Sequence, residues 1–342
     1  MSDPLINVIG RLPETGETIE VAPGIFWLRM PLPFALNHIN LWVLEDGDGW
    51  TLVDTGINRP ETCEAWESLF AGPLAGRPVK RLIVTHFHPD HMGLAGWLTD
   101  KFGIEMWTTQ TEWQTASTLY YSEHSEELVD QARTFYHAAG FSADLMAEVE
   151  TRGNPYPKRV SAIPKTYTKI AEGDLVDVGG RDWRVMIGTG HSPEHACLYC
   201  AEAGVLISGD QILPKITPNV SVWPQHSEQD PLAQFLDSLK TFAPLPEDTL
   251  TLPSHNWPFL GLRERLTVMA HHHDERLDDV VLACREPLNG FEVLRHLFKR
   301  ELDSHQLFFA IGESLAHLHY LMGQGRMGRE KGPDGVDLFR AV

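Results

Sequence analysis

The sequence predicts an α/β protein with an αββα sandwich, in which two β-sheets pack face to face and helices cover their outer faces. A helical insertion and a helical carboxyl-terminal domain complete the predicted fold. Three observations lead to this prediction: two similar series of β-rich runs, a helical stretch between them, and a helical pattern from about residue 261. Of the 342 residues, 42% are apolar and 22% are charged, which excludes a disordered or fibrous chain.

The first β-rich series lies within residues 20–110. Strands are predicted at residues 24–30, 40–45, 50–53 and 81–85. The turn Asp46–Gly49 between two of these runs is a hairpin signal. Apolar residues after the last run follow helical spacing, and Gly103 can end that helix.

Residues 111–165 are predicted to form the helical insertion, because helix-forming stretches at 123–139 and 142–150 precede a proline-rich segment. The second β-rich series follows it. Its strands are predicted at residues 174–178, 183–187, 196–200 and 204–208. Each half therefore has the strands needed for one sheet of the sandwich.

The carboxyl-terminal part is predicted to be a separate domain, with residues 1–260 forming the first domain and 261–342 the second. Its helices are predicted at 261–284, 288–300 and 303–322. Gly332-Pro333-Asp334-Gly335 then predicts the turn of a hairpin. Three helices followed by a hairpin is the element order of a winged-helix module.

The acidic composition limits the expected partners. Acidic residues outnumber basic residues by 47 to 28, which gives a formal charge of −19 and repels nucleic acid and anionic lipid. Met1–Pro4 lacks the features of a signal peptide, and no run of about 18 apolar residues occurs, so we expect a cytoplasmic protein. All four cysteines are expected to be structural thiols, and two of them, Cys197 and Cys200, fall on opposite faces of a predicted strand.

The histidine residues indicate a metal site. The segment His86-Phe87-His88-Pro89-Asp90-His91 places four potential metal ligands within six residues, directly after a predicted strand. His86 and His88 point the same way in an extended loop, whereas Asp90 and His91 begin a helix and can aim at a second position. Imidazole nitrogen and carboxylate oxygen are ligands that zinc takes, usually four to an ion.

One such segment cannot fill two metal positions, so further ligands are expected at other strand ends. His191 follows one β-rich run, Asp210 follows another, and His255 follows a third. Each lies in a turn of small residues, which lets the backbone approach a metal ion closely.

This series resembles the metallo-β-lactamase-fold hydrolase superfamily, whose signature H-x-H-x-D-H is followed by a later His, an Asp and a last His. The resemblance covers roughly residues 20–258. It implies a first metal ion bound by His86, His88 and His191, a second bound by Asp90, His91 and His255, and Asp210 as a bridge between them. Leu52-Val53-Asp54-Thr55-Gly56 matches the superfamily's early V-D-T-G turn, in which Asp54 would support the ligands.

The resemblance implies a dinuclear hydrolase. We expect two divalent ions, with zinc favoured and iron or manganese also compatible with these ligands. Hydroxide formed from water at the metals would attack a thioester, ester or lactone carbonyl, and Asp90 is a candidate proton shuttle. Asp54, Asp90 and Asp210 are therefore the candidate catalytic residues. A true β-lactamase is not expected, because antibiotic-hydrolysing members typically lack an Asp at the position of Asp210.

Two alternative enzymes stay open at this point. A single-iron sulfur dioxygenase can keep the ligands of the second position without filling it. The helices and hairpin of the carboxyl-terminal part, with the segments Asn37–Asn40 and Ile212–Lys215, resemble the subgroup typified by β-lactamase-like protein 2. That subgroup includes an endoribonuclease as well as thioesterases that release polyketide chains.

A DNA-binding winged helix is disfavoured, because the last long helix, Asp303–Met322, contains no Lys or Arg. We instead expect a small-molecule or acyl-chain substrate, no membrane and no nucleic acid, with homodimer formation left open. The carboxyl-terminal domain would cover the site or form a dimer interface.

Several other side chains are not assigned a role. Whether His38, His195 or Lys215 contacts substrate is left open. His271–His273 spread over the surface of a predicted helix and are expected to face solvent. Aromatic residues near the insertion could line a substrate pocket, although core packing is their more common role. They are Trp107, Trp113, Tyr120, Tyr121 and Phe135.

Overall fold

The computed structural model describes residues 5–122, 125–332 and 334–342. Residues 1–4, 123–124 and 333 lie outside the described residues. They include the segment expected to lack a signal peptide, the first two residues of the helical stretch predicted at 123–139 and one residue of the turn predicted at 332–335. The strands are β1 (Ile6–Asn7), β2 (Ile19–Ala22), β3 (Ile25–Pro31), β4 (His38–Asp46), β5 (Gly49–Val53), β6 (Val79–Ile83), β7 (Met106–Thr108), β8 (Thr168–Lys169), β9 (Leu175–Val178), β10 (Arg181–Gly188), β11 (His195–Cys200), β12 (Val205–Gly209), β13 (Leu250–Pro253), β14 (Phe259–Leu260), β15 (Met327–Lys331) and β16 (Asp337–Ala341). The helices are α1 (Pro60–Ala71), α2 (Pro89–Met92), α3 (Ala95–Phe102), α4 (Gln110–Tyr121), α5 (Glu126–Ala138), α6 (Ala143–Arg152), α7 (Pro231–Phe242), α8 (Leu262–Ala283), α9 (Gly290–Leu297) and α10 (Ser304–Gly323).

Two seven-stranded sheets form the centre of the molecule. The first has the order β2-β3-β4-β5-β6-β7-β8, and the second has the order β1-β14-β13-β12-β11-β10-β9. The first sheet is antiparallel from β2 to β5 and parallel from β5 to β8. In the second sheet only β12 and β13 are parallel neighbours.

Three apolar clusters make this a four-layer sandwich. The cluster between the sheets includes the buried side chains of Trp27 and Trp42 from the first sheet and Trp183 from the second. A second cluster joins the first sheet to α1, α3 and α4, and the third joins the second sheet to α5–α10. Apolar burial on both faces of both sheets is what holds the layers together, and the predicted αββα class is confirmed.

Two of the helices were not predicted. Helix α1 begins at Pro60, and α7 begins at Pro231 after Asp230, whose side chain accepts a hydrogen bond from the Ala233 N–H at 2.9 Å. Proline in the first turn and aspartate at the cap are helix-start signals that the sequence analysis passed over. The strand predicted at 81–85 lies instead at Val79–Ile83.

The insertion is helical, as predicted. Helices α4, α5 and α6 connect β7 to β8, which are parallel neighbours in the first sheet. Phe135 and Tyr136 of α5 and Val149 of α6 nevertheless belong to the apolar cluster of the second sheet and the carboxyl-terminal helices. The insertion therefore reaches across from one sheet to the helices that cover the other.

Three helices and a hairpin form the carboxyl-terminal part, in the predicted order, while the winged-helix comparison and the division at residue 260 stay predictions. The expectation for His271–His273 is wrong at His273, which is buried with its Nδ1 3.2 Å from His317 Nε2 of α10. His271 does face solvent. Within the described residues, no helix has the length and apolarity needed to cross a bilayer.

Helix α10 packs directly on the loop at residues 219–222. The Val222 N–H donates to the Gly312 carbonyl at 3.0 Å, and the Ser221 hydroxyl donates to the Phe309 carbonyl at 3.2 Å. A Cβ atom at Gly312 would lie 2.8 Å from both Ser221 Cβ and the Val222 carbonyl oxygen. The close approach therefore depends on the absence of a side chain at Gly312.

We predict that Gly312→Ala lowers the free energy of unfolding by about 1–3 kcal/mol, because overpacking a filled contact forces backbone shifts. Denaturant unfolding monitored by circular dichroism measures the change. Gly323→Ala in the same helix is the control, since its new Cβ would meet only the end of the Asp230 side chain, at 3.3 Å. Equal stability changes in the two variants would contradict the tight α10 contact.

Candidate functional site

Five loops meet at one edge of the two sheets. The five loops follow strands β5, β6, β10, β12 and β13. Together they carry all seven residues predicted to bind metal ions. Hydrogen bonds between the sheets fix this edge: the Ala196 N–H donates to the Thr85 carbonyl at 2.9 Å, and the Asn40 N–H donates to the Ser254 carbonyl. The seven predicted ligands are thereby brought together.

The first cluster consists of His86, His88 and His191. His86 Nε2 lies 2.9 Å from His88 Nδ1 and 3.3 Å from His191 Nε2. The other ring nitrogen of His191 donates to the Asn219 carbonyl at 2.8 Å, which fixes the ring orientation. Three imidazole nitrogens thus face a common point, as a metal ion requires.

The second cluster consists of Asp90, His91 and His255. His255 Nε2 lies 3.6 Å from Asp90 Oδ2, and His91 Nε2 lies 3.9 Å from the same oxygen. The His255 Nδ1–H donates to the His38 carbonyl at 2.9 Å, so this ring is also held from behind. The described ligand atoms of each cluster lie within 4.8 Å of one another.

Asp210 lies between the two clusters. Its Oδ2 is 3.6 Å from His191 Nε2, whereas its Oδ1 is 3.5 Å from His91 Nε2 and 3.4 Å from His255 Nε2. One carboxylate thus presents one oxygen to each cluster. The structure therefore brings Asp210 next to both clusters, while its role as a bridge between two metal ions stays a prediction.

The chemistry of the second cluster fits a cation. His91 Nε2 and Asp210 Oδ1 are both buried and have no hydrogen-bond partner, although buried polar atoms rarely lack one. Burial would raise the pKa of Asp210, but the charges of His255 and His91 hold it well below its usual value. Burial likewise opposes charge on His91, yet Asp54, Asp210 and Asp90 raise its pKa well above the usual value. The carboxylates of the second cluster and Asp210 are therefore stabilised by a positive charge between them. A metal ion would provide that charge in place of protons on the histidines.

The first cluster fits a cation for a different reason. Burial lowers the pKa values of His86, His88 and His191, and the neighbouring imidazoles add to this at His86. These rings are therefore neutral, which is the form that binds a metal ion. Among the described residues, Asp210 opposes this effect at His88 and His191, and Asp90 opposes it at His191.

Asp54 holds the ligand-bearing loop after β6. Its carboxylate accepts hydrogen bonds from the Thr85 N–H at 2.8 Å and from His91 Nδ1 at 2.8 Å. Its φ of 64° is unusual for a residue other than glycine and marks a constrained turn. The next residue, Thr55, donates from its hydroxyl to the His91 carbonyl at 2.6 Å. The V-D-T-G turn therefore orients His91 through both side chain and backbone, while a catalytic role for Asp54 stays a prediction.

Glu112 of α4 is a site residue that the sequence analysis missed. Its buried carboxylate accepts from the Phe87 N–H at 2.9 Å, between His86 and His88. It also accepts from the Ser192 hydroxyl at 2.8 Å and the Glu194 N–H at 2.7 Å, beside His191. Burial raises the pKa of Glu112 to about 7. One side chain of the insertion therefore joins the ligand loops of the two sheets.

His195, His38 and Lys215 differ in their relation to the site. His195 Nε2 accepts from the Asp210 N–H at 3.0 Å, and its ring would lie 2.3 Å from a Cβ at Gly209. His38 Nε2 accepts from the Asn256 N–H at 3.0 Å, and burial lowers the pKa of His38 to about 4. Each of these two histidines therefore accepts a hydrogen bond from a backbone N–H at or next to a candidate ligand. Lys215 is exposed and is not among the described residues that line the cleft beside the clusters.

A cleft of about 540 Å³ opens beside the first cluster. His88 and His191 lie on its wall, together with residues of the insertion and of α10. Its aromatic residues are Phe87, Tyr136, Tyr156, Trp223, Phe308 and Phe309. The five aromatic residues considered in the sequence analysis are not part of this lining; Phe135, for example, is buried in the core.

We predict that Glu112→Gln lowers the free energy of unfolding by about 1–3 kcal/mol, because the amide group places a donor against a backbone N–H or hydroxyl donor. Denaturant unfolding of the purified protein measures this. The exposed Glu64→Gln on α1 is the matched control and should change stability by less than about 0.5 kcal/mol. A Glu112→Gln variant as stable as the control would contradict the joining role of Glu112.

Comparison with known proteins places this geometry in a family. The sequence model of the metallo-β-lactamase superfamily matches residues 36–255, which include both clusters and Asp210. The model of the metallo-β-lactamase-like carboxyl-terminal domain matches residues 277–342.

Individual relatives agree with these matches. A crystal structure of a β-lactamase domain protein from Burkholderia ambifaria is 41% identical, covers 99% of this chain and 98% of its own, and has a TM-score of 0.91. The probable metallo-hydrolase YqjP from Bacillus subtilis is 25% identical over 86% of this chain and 91% of its own length. The acyl-coenzyme A thioesterase MBLAC2 from Homo sapiens is 24% identical over 55% of this chain and 63% of its own length. The resemblance seen in the ligand series is confirmed, and the chain belongs to the metallo-β-lactamase superfamily.

Proposed function

We propose that this protein is a hydrolase that uses two divalent metal ions to cleave an acyl thioester, in the wider class of thioester, ester and lactone hydrolases. The observation that carries the proposal is the position of Asp210, whose two carboxylate oxygens face separate clusters of candidate ligands at 3.4–3.6 Å. Zinc is favoured as the metal, although His and carboxylate ligands also suit iron and manganese.

Different residues of the site have different roles in the proposed reaction. Metal ions held by the two clusters would supply a water molecule of near-neutral pKa and polarise the substrate carbonyl. Asp210 sets the spacing of the two clusters, and His195 fixes the Asp210 backbone through its N–H. The Asp90 carboxylate is the candidate to accept a proton from the attacking water and return it to the leaving thiolate. Water and thioester are thereby converted to a carboxylic acid and a thiol.

The cleft supports an acyl substrate. Its wall leads from His88 and His191 past apolar side chains of the insertion, such as Leu128 and Val129, to Phe308 of α10. An acyl chain can bury its surface there while its carbonyl lies beside the clusters. The acyl-coenzyme A thioesterase among the relatives supports the same bond type.

We predict that the purified, metal-reconstituted protein holds about two metal ions per chain and that Asp210→Ala reduces both metal content and thioester hydrolysis. The rate should fall by more than the roughly 10- to 100-fold that loss of an outer contact to a ligand causes. Elemental analysis and a thiol-release assay are the two measurements. Asp237→Ala, a change at an exposed aspartate of α7, is the control and should leave both unchanged.

A stoichiometry that stays near one after reconstitution would contradict the dinuclear proposal and favour a single-metal enzyme. Wild-type hydrolysis by Asp210→Ala would remove the bridging role. Collapse of the fold in that variant, detected by circular dichroism, would show that the metal ions serve structure instead.

We also predict that the protein prefers an acyl thioester over single-stranded RNA and bis-p-nitrophenyl phosphate. Because the chain carries a formal charge of −19, a polyanion is repelled, and RNA cleavage should be weak or absent. A panel assay with a thioester, a lactone, a p-nitrophenyl ester and the two phosphodiesters measures the preference. Efficient RNA cleavage that falls steeply with added salt would overturn the thioesterase proposal in favour of a ribonuclease.

A further inference from the structure

The charged side chains of the cleft are basic, whereas the protein as a whole is acidic. Although the chain has a formal charge of −19, the described residues that line the cleft include Arg152 and Arg159 and no Asp or Glu. Burial and, to a lesser extent, the charge of Arg152 lower the pKa of Arg159, whereas Asp90 acts in the opposite direction. A cleft with this lining attracts an anionic ligand.

Arg152 is held in place by packing instead of by an acid. It is the last residue of α6 and is half-buried, with its guanidinium carbon 4.2 Å from the centre of the Phe308 ring of α10. Among the described residues it has no hydrogen bond and no ion pair. Arg133 in the same insertion differs, because it pairs with Asp130 at 2.6 Å and Glu150 at 3.3 Å.

A stacked guanidinium keeps its N–H donors free in the plane of the group. Those donors match the two oxygens of a carboxylate or phosphate, which is the geometry that arginine provides and lysine does not. Burial lowers the pKa of Arg152, and the nearby Tyr136 and Glu148 side chains offset this only in part. An anion bound in the cleft would stabilise the positive charge of the partly buried Arg152 side chain.

We propose that Arg152 forms a subsite for an anionic oxygen group of the substrate, either a carboxylate or a phosphate. The preferred substrate is then an acyl thioester that carries a second, charged group away from the reacting carbonyl. This inference rests on the proposed thioester hydrolysis and adds the substrate class. The charged group can belong to the far end of the acyl chain or to the phosphates of the thiol carrier.

Four thioesters distinguish these two sources. Adipyl and hexanoyl groups, of equal chain length, differ by one carboxylate, and each is joined either to coenzyme A or to uncharged N-acetylcysteamine. Values of kcat/KM are measured for the wild type, Arg152→Gln and Arg152→Lys. Arg133→Gln is the matched control, because Arg133 is an exposed arginine of the same insertion outside the cleft lining.

If the anion is on the acyl chain, Arg152→Gln should lower kcat/KM roughly 10- to 100-fold for both adipyl thioesters and leave both hexanoyl thioesters unchanged. If the anion is on the carrier, the same loss should appear with both coenzyme A thioesters and with neither N-acetylcysteamine thioester. Arg152→Lys should recover part of the loss, since it keeps the charge without the planar fork. Equal losses for all four substrates, or no loss for any, would overturn the subsite.

A binding measurement separates this inference from the proposed function. Adipic acid monoamide and desulfo-coenzyme A, which contain no thioester, are titrated calorimetrically into the metal-loaded wild type and the variants. Affinity for one of them that falls roughly 10- to 100-fold in Arg152→Gln but not in Arg133→Gln supports the subsite, even if no thioester is hydrolysed. Thioester hydrolysis with unchanged affinities and unchanged kcat/KM in Arg152→Gln would refute the subsite and leave the proposed function standing.

Discussion

A buried carboxylate must find its hydrogen bonds inside the protein, because leaving it unpaired away from water is costly. Asp54 and Glu112 are two such groups, and their hydrogen-bond partners lie on the loops after β6 and β10. Satisfying them therefore draws the loops of both sheets to one point. The assembly of the candidate metal site and the satisfaction of these carboxylates are the same structural event, and the positions of the ligand histidines depend on it.

The carboxyl-terminal helices take part in this assembly. The Asn219 carbonyl that orients His191 belongs to a loop that packs on α10 through backbone and hydroxyl contacts. Phe308 of the same helix lies on the cleft wall and supports Arg152. Most of the described residues of α10 are buried against the rest of the molecule. In this protein the helix forms part of the cleft wall and of the support for the first cluster.

The ligand series could be predicted because its signal is local. Each candidate ligand follows a strand-like run and stands beside small residues, so the pattern is visible within a few positions of His191, Asp210 or His255. Glu112 has no such signal: it is one glutamate in a polar helix, and its burial arises only when two distant loops fold over it. His273 was assigned to solvent for the same reason, since it is buried by Phe235 of α7 and His317 of α10, both remote in the sequence. Arg152 likewise owes its environment to Phe308, which is remote in the sequence.

The order of these residues along the chain matters during synthesis. The ribosome releases His86 and His91 early, between strands of the first sheet, whereas His255 emerges only after strands β9 to β13 of the second sheet. Helix α10 follows later still, and with it Phe308 and Phe309 of the cleft wall. A chain cut short by stalled translation or by proteolysis before α10 would carry all seven cluster residues and yet lack these two aromatic side chains, and with them the ring that packs on Arg152. The cluster residues and the complete cleft wall are therefore made at different times during synthesis.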